Sequence, residues 1–218
     1  THVINDLHFI DNIRNSLIIA LATTVIAIII SAMAAYGIVR FFPKIGTVLS
    51  KVLVTTYIFP PILLAIPYSI VMAKLGLTNT RIGLVLVYLS FSIPYAVWLL
   101  VGFFKTVPIG IEEAAKIDGA NKIQVFMQVV IPLVAPGIVA TAIYTFINVW
   151  NEFLYSLILI NDTSKMTVAV ALRSLNGSEI LDWGDMMAAS TLVVVPSIIF
   201  FCLIQNKIAG GLSEGAVK

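Results

Sequence analysis

Residues 17–39 read LIIALATTVIAIIISAMAAYGIV, a run without a single Asp, Glu, Lys or Arg. A helix crossing the hydrocarbon core needs about 20 predominantly apolar residues, since each residue rises ~1.5 Å through a layer ~30 Å thick. Backbone surrounded by lipid has no water to bond, so it satisfies its own amides and carbonyls as a helix. The run therefore predicts a spanning helix. Four further charge-free runs share its character, at 52–73, 82–104, 123–151 and 186–206. The 218-residue chain is 60% hydrophobic and 11% charged, whereas ordinary globular chains carry roughly 25% charged residues. Its mean hydropathy is +1.04. The expected fold is an all-α polytopic membrane bundle, one domain over 1–218, with spans at 17–39, 52–73, 82–104, 137–160 and 186–206.

Five spans place the termini on opposite sides, and basic residues decide which side is which. With the C-terminus inside, the inner face holds Arg40, Lys44, Lys51, Lys105, Lys116, Lys122, Lys207 and Lys218. The outer face then holds Arg14, Lys74, Arg81, Lys165 and Arg173. The bias favours an outer N-terminus. A net charge of +2, spread along the chain, gives no basis for binding nucleic acid. His2 and His8 have no ligand cluster around them and Cys202 is the single cysteine, so no metal site or intrachain disulfide is expected. The chain opens at Thr1 on a polar run without a cleavable signal, and we expect the natural protein to extend further at this end.

Between the spans, Asn15 and Ser16 read as capping residues for the first helix. Pro60, Pro61 and Pro67 predict a kinked or broken second span, because each removes a backbone donor and crowds the preceding turn. The segment 105–136 stands apart. Thr106-Val107-Pro108 ends the third span, Glu112 to Lys116 is strong helix-forming sequence, and Asp118-Gly119 reads as a helix stop. Asn121 with Gln124 reads as a capping box opening a second helix. Pro132 and Pro136 then mark where the fourth span begins. The segment is expected to form a cytoplasmic helix–turn–helix elbow. An outer loop at 161–185 and a Gly-rich tail after Lys207 complete the chain.

In the elbow, Glu113-Ala114-Ala115, three residues, Gly119, nine residues, then Val129-Val130-Ile131-Pro132 resembles the EAA signature of bacterial ABC importer permeases. Val129 and Ile131 stand where that pattern has Ile and Leu, both apolar exchanges. Residues 75–80, 98–104, 115–120 and 149–153, with the Gly-Ala-Val-Lys tail, further resemble the maltose-type carbohydrate permeases, whose members usually carry one more N-terminal span. The resemblance covers nearly the whole chain from Leu17. It implies an inner-membrane, multi-pass subunit forming the path for a sugar. It also implies a second permease subunit, an ATPase dimer that holds ATP and Mg, and an extracytoplasmic sugar-binding protein. The coupling residues it implies are Glu113, Ala114, Ala115, Asp118, Gly119, Ala120 and Pro132. Small alanines suit close docking, Glu113 offers an anionic contact and Gly119 permits the turn. An amphipathic helix lying on lipid is the alternative, but such helices favour Lys and Arg over adjacent acids.

Glu152 interrupts an apolar stretch, and a carboxylate at that depth should face protein or water. At about 100° per residue, Thr141, Tyr144, Asn148, Asn151 and Tyr155 share one helical face with Glu152 at its edge. On the third span Tyr88, Ser92 and Tyr95 align as well. Such a polar stripe suits either a sugar path or hydrogen bonding between helices. The chain contains no Gly-x-x-x-x-Gly-Lys-Ser/Thr loop to cradle phosphates, no metal-ligand cluster and no nucleophile–base constellation. It is therefore expected to be no enzyme and to hold no cofactor of its own. An amino-acid or peptide importer shares the elbow. An ion-coupled secondary transporter would leave it unexplained.

Overall fold

The computed structural model describes residues 9–175 and 183–215. His2, His8, Glu179, Asp182 and the last three residues lie outside them. The elements run in order as α1 (Phe9–Arg40), α2 (Pro43–Ile58), α3 (Pro61–Lys74), α4 (Arg81–Thr106) and α5 (Ile109–Ile117). Next come α6 (Lys122–Gln124), a π-helical turn (Val125–Val130), α7 (Ile131–Trp150) and α8 (Leu154–Leu159). A short 3-10 turn (Thr163–Lys165), α9 (Val168–Leu175) and α10 (Trp183–Gly215) complete the order.

Among the described residues, four continuous helical stretches are long and apolar enough to cross a membrane: Phe9–Arg40, Arg81–Thr106, Lys122–Trp150 and Trp183–Cys202. The predicted second span is the α2–α3 pair, broken at Phe59 and Pro60, which are both extended (ψ 130° and 121°). A residue before proline is driven out of the helical region, and Phe59 and Pro60 each precede one. The pair still carries the chain from end to end of the bundle. It leaves from beside Arg40, and beyond its far end the Asn79 amide donates to the Leu159 carbonyl at 2.8 Å. Five passes result.

The core is built in two halves. Toward the end expected to face outward, Phe9, Ile19, Leu84, Tyr88, Phe146, Trp150 and Leu159 cluster. Toward the end expected to face inward, Ala35, Ile38, Leu100, Phe104, Val107, Val125 and Val130 do so. Along α1 the buried face is made largely of small residues, including Ala20, Thr23, Ala27, Ser31, Ala32 and Ala35. Small side chains let helices approach closely where lipid offers no hydrophobic drive between them. The other faces expose Ile10, Val25, Ile29, Ile66, Ile82 and Val194 among many apolar side chains, as lipid- or partner-facing surfaces must.

Several elements differ from the sequence expectation. Asn15 and Ser16 do not cap α1, which begins at Phe9. Both are buried inside it and bond the outer segment instead. Asn15 Nδ2 donates to the Ser164 and Met166 carbonyls (2.8 and 3.2 Å), and Ser16 Oγ accepts from the Val168 amide at 2.7 Å. Asn79, at φ +58°, uses Oδ1 to accept from the amides of Asn161 and Asp162. Ser164 bonds to Asp162 and so holds that carboxyl below its usual range. Pro132 and Pro136 do not separate the elbow from the fourth span, because the helix is continuous from Lys122 to Trp150. It ends there, with Glu152 in a break before α8 rather than inside a span running to 160. Helix α10 continues through the expected glycine-rich tail to Gly215.

This arrangement makes a topology prediction. On a Cys202→Ser background, Thr163→Cys should react with an impermeant thiol reagent added to intact cells, and Lys116→Cys should not. The reverse pattern would invert the molecule.

Candidate functional site

At the inner end, α5 is closed by a glycine-dependent motif. The Ala120 amide donates to the Ala115 carbonyl (3.0 Å), the Gly119 amide donates to that of Lys116 (3.1 Å), and Gly119 sits at φ +91°. These two bonds form the paired closure in which a left-handed residue ends a helix and the flanking apolar residues meet. Ala115, Gly119 and Ala120 thus have a local structural reason to keep their spacing. The turn leads directly into Asn121, whose Oδ1 accepts from the Ile123 and Gln124 amides while Gln124 Oε1 accepts from the Asn121 amide. The capping box expected from sequence is present.

Helix α5 presents Glu113, Ala114, Asp118 and Gly119 to the exterior, with Ala115 and Ala120 half-buried. Ile117 stands 87% exposed beside them. Sequence reasoning passed over it, although an isoleucine between Lys116 and Asp118 is a signal that an apolar face is being offered. Pro132 lies at the start of α7, just after the π-helical turn, and is exposed on that helix rather than on α5.

Glu112, adjacent to Glu113, points the opposite way. It is 2% exposed, and Oε1 accepts from Arg40 Nε at 2.5 Å while Oε2 accepts from the Tyr36 hydroxyl at 2.8 Å. Arg40 Nη2 also donates to the Val107 carbonyl at 2.8 Å. Removing one partner of such a buried pair costs about 3–5 kcal/mol, since the other charge is left uncompensated. Arg40, read from sequence as one of several inner basic residues, is therefore a specific ligand of the elbow.

A cavity of about 290 Å³ opens mid-bundle. Its walls include Tyr68 and Leu64 of α3, Phe91, Ser92 and Tyr95 of α4, Tyr144 and Asn148 of α7, and Glu152 and Tyr155. The rings are ordered as platforms. Tyr95 stacks on Tyr144 with centroids 4.2 Å apart, and Phe91 stacks on Tyr155 at 5.9 Å. Of the stripe expected from sequence, the structure brings Ser92, Tyr95, Tyr144, Asn148, Glu152 and Tyr155 together. Asn151 is a correction. It is exposed in a separate groove with Trp150 and Phe153, its Nδ2 folded back to donate to the Ile147 carbonyl at 2.8 Å. Tyr88 is another departure, being fully buried behind the cavity wall and donating to Glu152 Oε2 at 2.5 Å. Thr141 is also buried and bonds the Gly137 carbonyl. Trp150 is buried and stacks on Phe146.

Glu152 itself is fully engaged. Besides the Tyr88 hydroxyl it accepts from the amides of Tyr155 (2.9 Å) and Ser156 (3.3 Å), which open α8. The Tyr155 hydroxyl donates to the Pro61 carbonyl at 2.9 Å and so ties this region to the break between α2 and α3.

Comparison with known proteins agrees with this architecture. Residues 9–213 match the family described as binding-protein-dependent transport system inner membrane component. A trehalose transport system permease of Mycobacterium tuberculosis is 39% identical over 94% of this chain and 75% of its own length. A trehalose/maltose transport system permease of Thermococcus litoralis is 34% identical over 97% of this chain and 77% of its own. A diacetylchitobiose uptake permease of Streptomyces coelicolor is 34% identical, covering 94% and 68% respectively. Among solved structures, a bacterial ABC transporter involved in import of the polysaccharide alginate superposes with a TM-score of 0.71. That match has 22% identity and covers all of this chain and 78% of the other, and it establishes the fold. The chain belongs to the binding-protein-dependent transport inner membrane component family and is a multi-pass ABC permease of the inner membrane.

Proposed function

We propose that this permease carries a sugar, delivered by an extracytoplasmic binding protein, and is driven by ATP hydrolysed with Mg in a separate ATPase dimer. The observation that carries this reading is the placement of α5. It is a short helix held rigidly at the inner end, with Glu113, Ala114 and the projecting Ile117 turned outward. A helix of small residues with one apolar knob and one carboxylate suits a cleft in a cytoplasmic partner. Sugar as the cargo is supported by the names of the relatives and by the cavity chemistry. Aromatic faces pack against the C–H faces of a sugar ring, while Asn148, Ser92 and the tyrosine hydroxyls can meet its hydroxyl groups. A second permease subunit is supported by the sparse burial of the last span, where 6% of the apolar window is covered.

In this reading closure of the ATPases moves the elbow as a rigid unit and rocks the spans between inward- and outward-facing arrangements. The test is Glu113→Lys in the assembled transporter. A like charge set against a basic partner residue should lower ATPase co-purification and sugar uptake by about tenfold, a loss of ~1.4 kcal/mol in association. Membrane insertion should be unchanged, because Glu113 makes no buried contact. A second-site acidic substitution on the ATPase should restore uptake. Undiminished uptake in Glu113→Lys would refute the docking role.

A further inference from the structure

We infer that Arg40, Tyr36 and Glu112 form a third attachment of the coupling helix, fixing α5 to the first span so that the two move as one body. This inference rests on the coupling role of α5 proposed above. Covalently, α5 is attached at two places only, to α4 through Val107-Pro108 and to α6 through Gly119-Ala120. Two attachments leave a short rod free to roll about the line joining them. The Val107-Pro108 link is extended, while the Gly119 turn is held by its two closing bonds, which set the axis of α5 but not its roll.

The Arg40 side chain removes that freedom. It binds the Val107 carbonyl at the link and the Glu112 carboxylate in the first turn of α5, gripping both sides of the joint at once. Tyr36, one turn earlier on α1, donates to the other oxygen of the same carboxylate. Its ring also packs on Phe104 of α4 and on Phe126 of the π-helical turn (centroids 5.9 and 4.8 Å). Four chain segments therefore meet at one buried point. Arg40 and Glu112 side chains are 10% and 3% exposed, so water does not screen or compete for the pair. Glu112 and Arg40 act as positioning residues. They touch neither the cavity nor the outward face of α5, so their effect on transport must pass through the geometry of the helix.

The experiment measures ATP hydrolysed per sugar imported in proteoliposomes containing the complete transporter and its binding protein. A single Glu112→Ala change strands a buried guanidinium and can fail to assemble. The informative variant is therefore the double substitution Arg40→Met with Glu112→Leu, which fills the space with apolar groups and leaves no unpaired charge. Glu112→Gln, which keeps the shape, is read alongside it. With ATPase retention intact, ATP consumed per sugar should rise about fivefold or more, the lower end of ordinary coupling between two sites. A ratio within about twofold of the unmodified transporter would overturn the inference, since coupling of that size is below the usual range. A parallel decline of uptake and hydrolysis, or loss of assembled complex in both variants, would also overturn it, leaving the cluster a purely structural contact. An unmodified transporter whose hydrolysis does not respond to sugar and binding protein would remove the underlying reading as well.

Discussion

Gly119→Val should leave the protein in the membrane and bring sugar uptake close to background. The residue sits at φ +91°, and a Cβ placed there would meet no atom within 4 Å. Steric crowding by neighbours is therefore excluded, and the whole penalty is conformational. A β-branched residue in that region is strained by roughly 1–3 kcal/mol. The turn can relieve the strain only by leaving the left-handed region. Doing so breaks the Ala120–Ala115 and Gly119–Lys116 closures that set the direction of α5. Asn adopts positive φ far more readily than other residues with a Cβ, so uptake should fall in the order Asn, Ala, Val at this position. ATPase co-purification should follow the same order. If Asn were as damaging as Val, loss of the glycine itself rather than its backbone angle would be responsible, and the argument would fail.

Glu152→Ala should have the largest effect on stability of any single change in the bundle interior. Deleting the carboxylate orphans the fully buried Tyr88 hydroxyl and two amides at the start of α8. Each unsatisfied buried group costs about 1–3 kcal/mol, against a total stability of roughly 5–15 kcal/mol for an ordinary domain. Glu152→Gln retains an acceptor and should recover most of the loss, whereas Tyr88→Phe should be intermediate. The measurement is the yield of assembled complex and its thermal unfolding in detergent. Transport per assembled complex should stay near that of the unmodified protein in Glu152→Gln. If Glu152→Ala assembled normally but transported nothing, the carboxylate would be a cargo contact and not a brace.

That comparison bears on how far sequence could go. The charge-free runs were sufficient for the number of passes, because length and hydropathy alone decide what the bilayer accepts. Pro60 and Pro61 announced the broken second span, and Asn121 with Gln124 announced the start of the helix that leads into α7. The fate of Pro132 was not legible. A proline in a regular helix clashes with the carbonyl four residues back, but the preceding π-helical turn at Val125–Val130 widens the backbone there and lets the helix pass through. Nor could sequence distinguish Glu112 from Glu113. They are neighbours on one helix, and which is buried depends on Arg40, 72 residues away. Asn151 was illegible for a different reason, since its side chain folds back onto the Ile147 carbonyl, a local bond that helical periodicity does not foresee. Asn15 and Ser16 carried a capping signature that tertiary bonds overrode.

Those last two side chains bear on biosynthesis. The carbonyl that Asn15 binds belongs to Ser164, 149 residues further along the chain. A ribosome adding about 5–20 residues per second reaches it roughly seven to thirty seconds later. During that interval α1 has emerged and can insert, yet the amide of Asn15 and the hydroxyl of Ser16 have no native partner. They would be kept near the aqueous boundary or shielded by the insertion machinery. Helix α1 is therefore locked long after it is made, and its outer end waits for the segment after α8 to close over it.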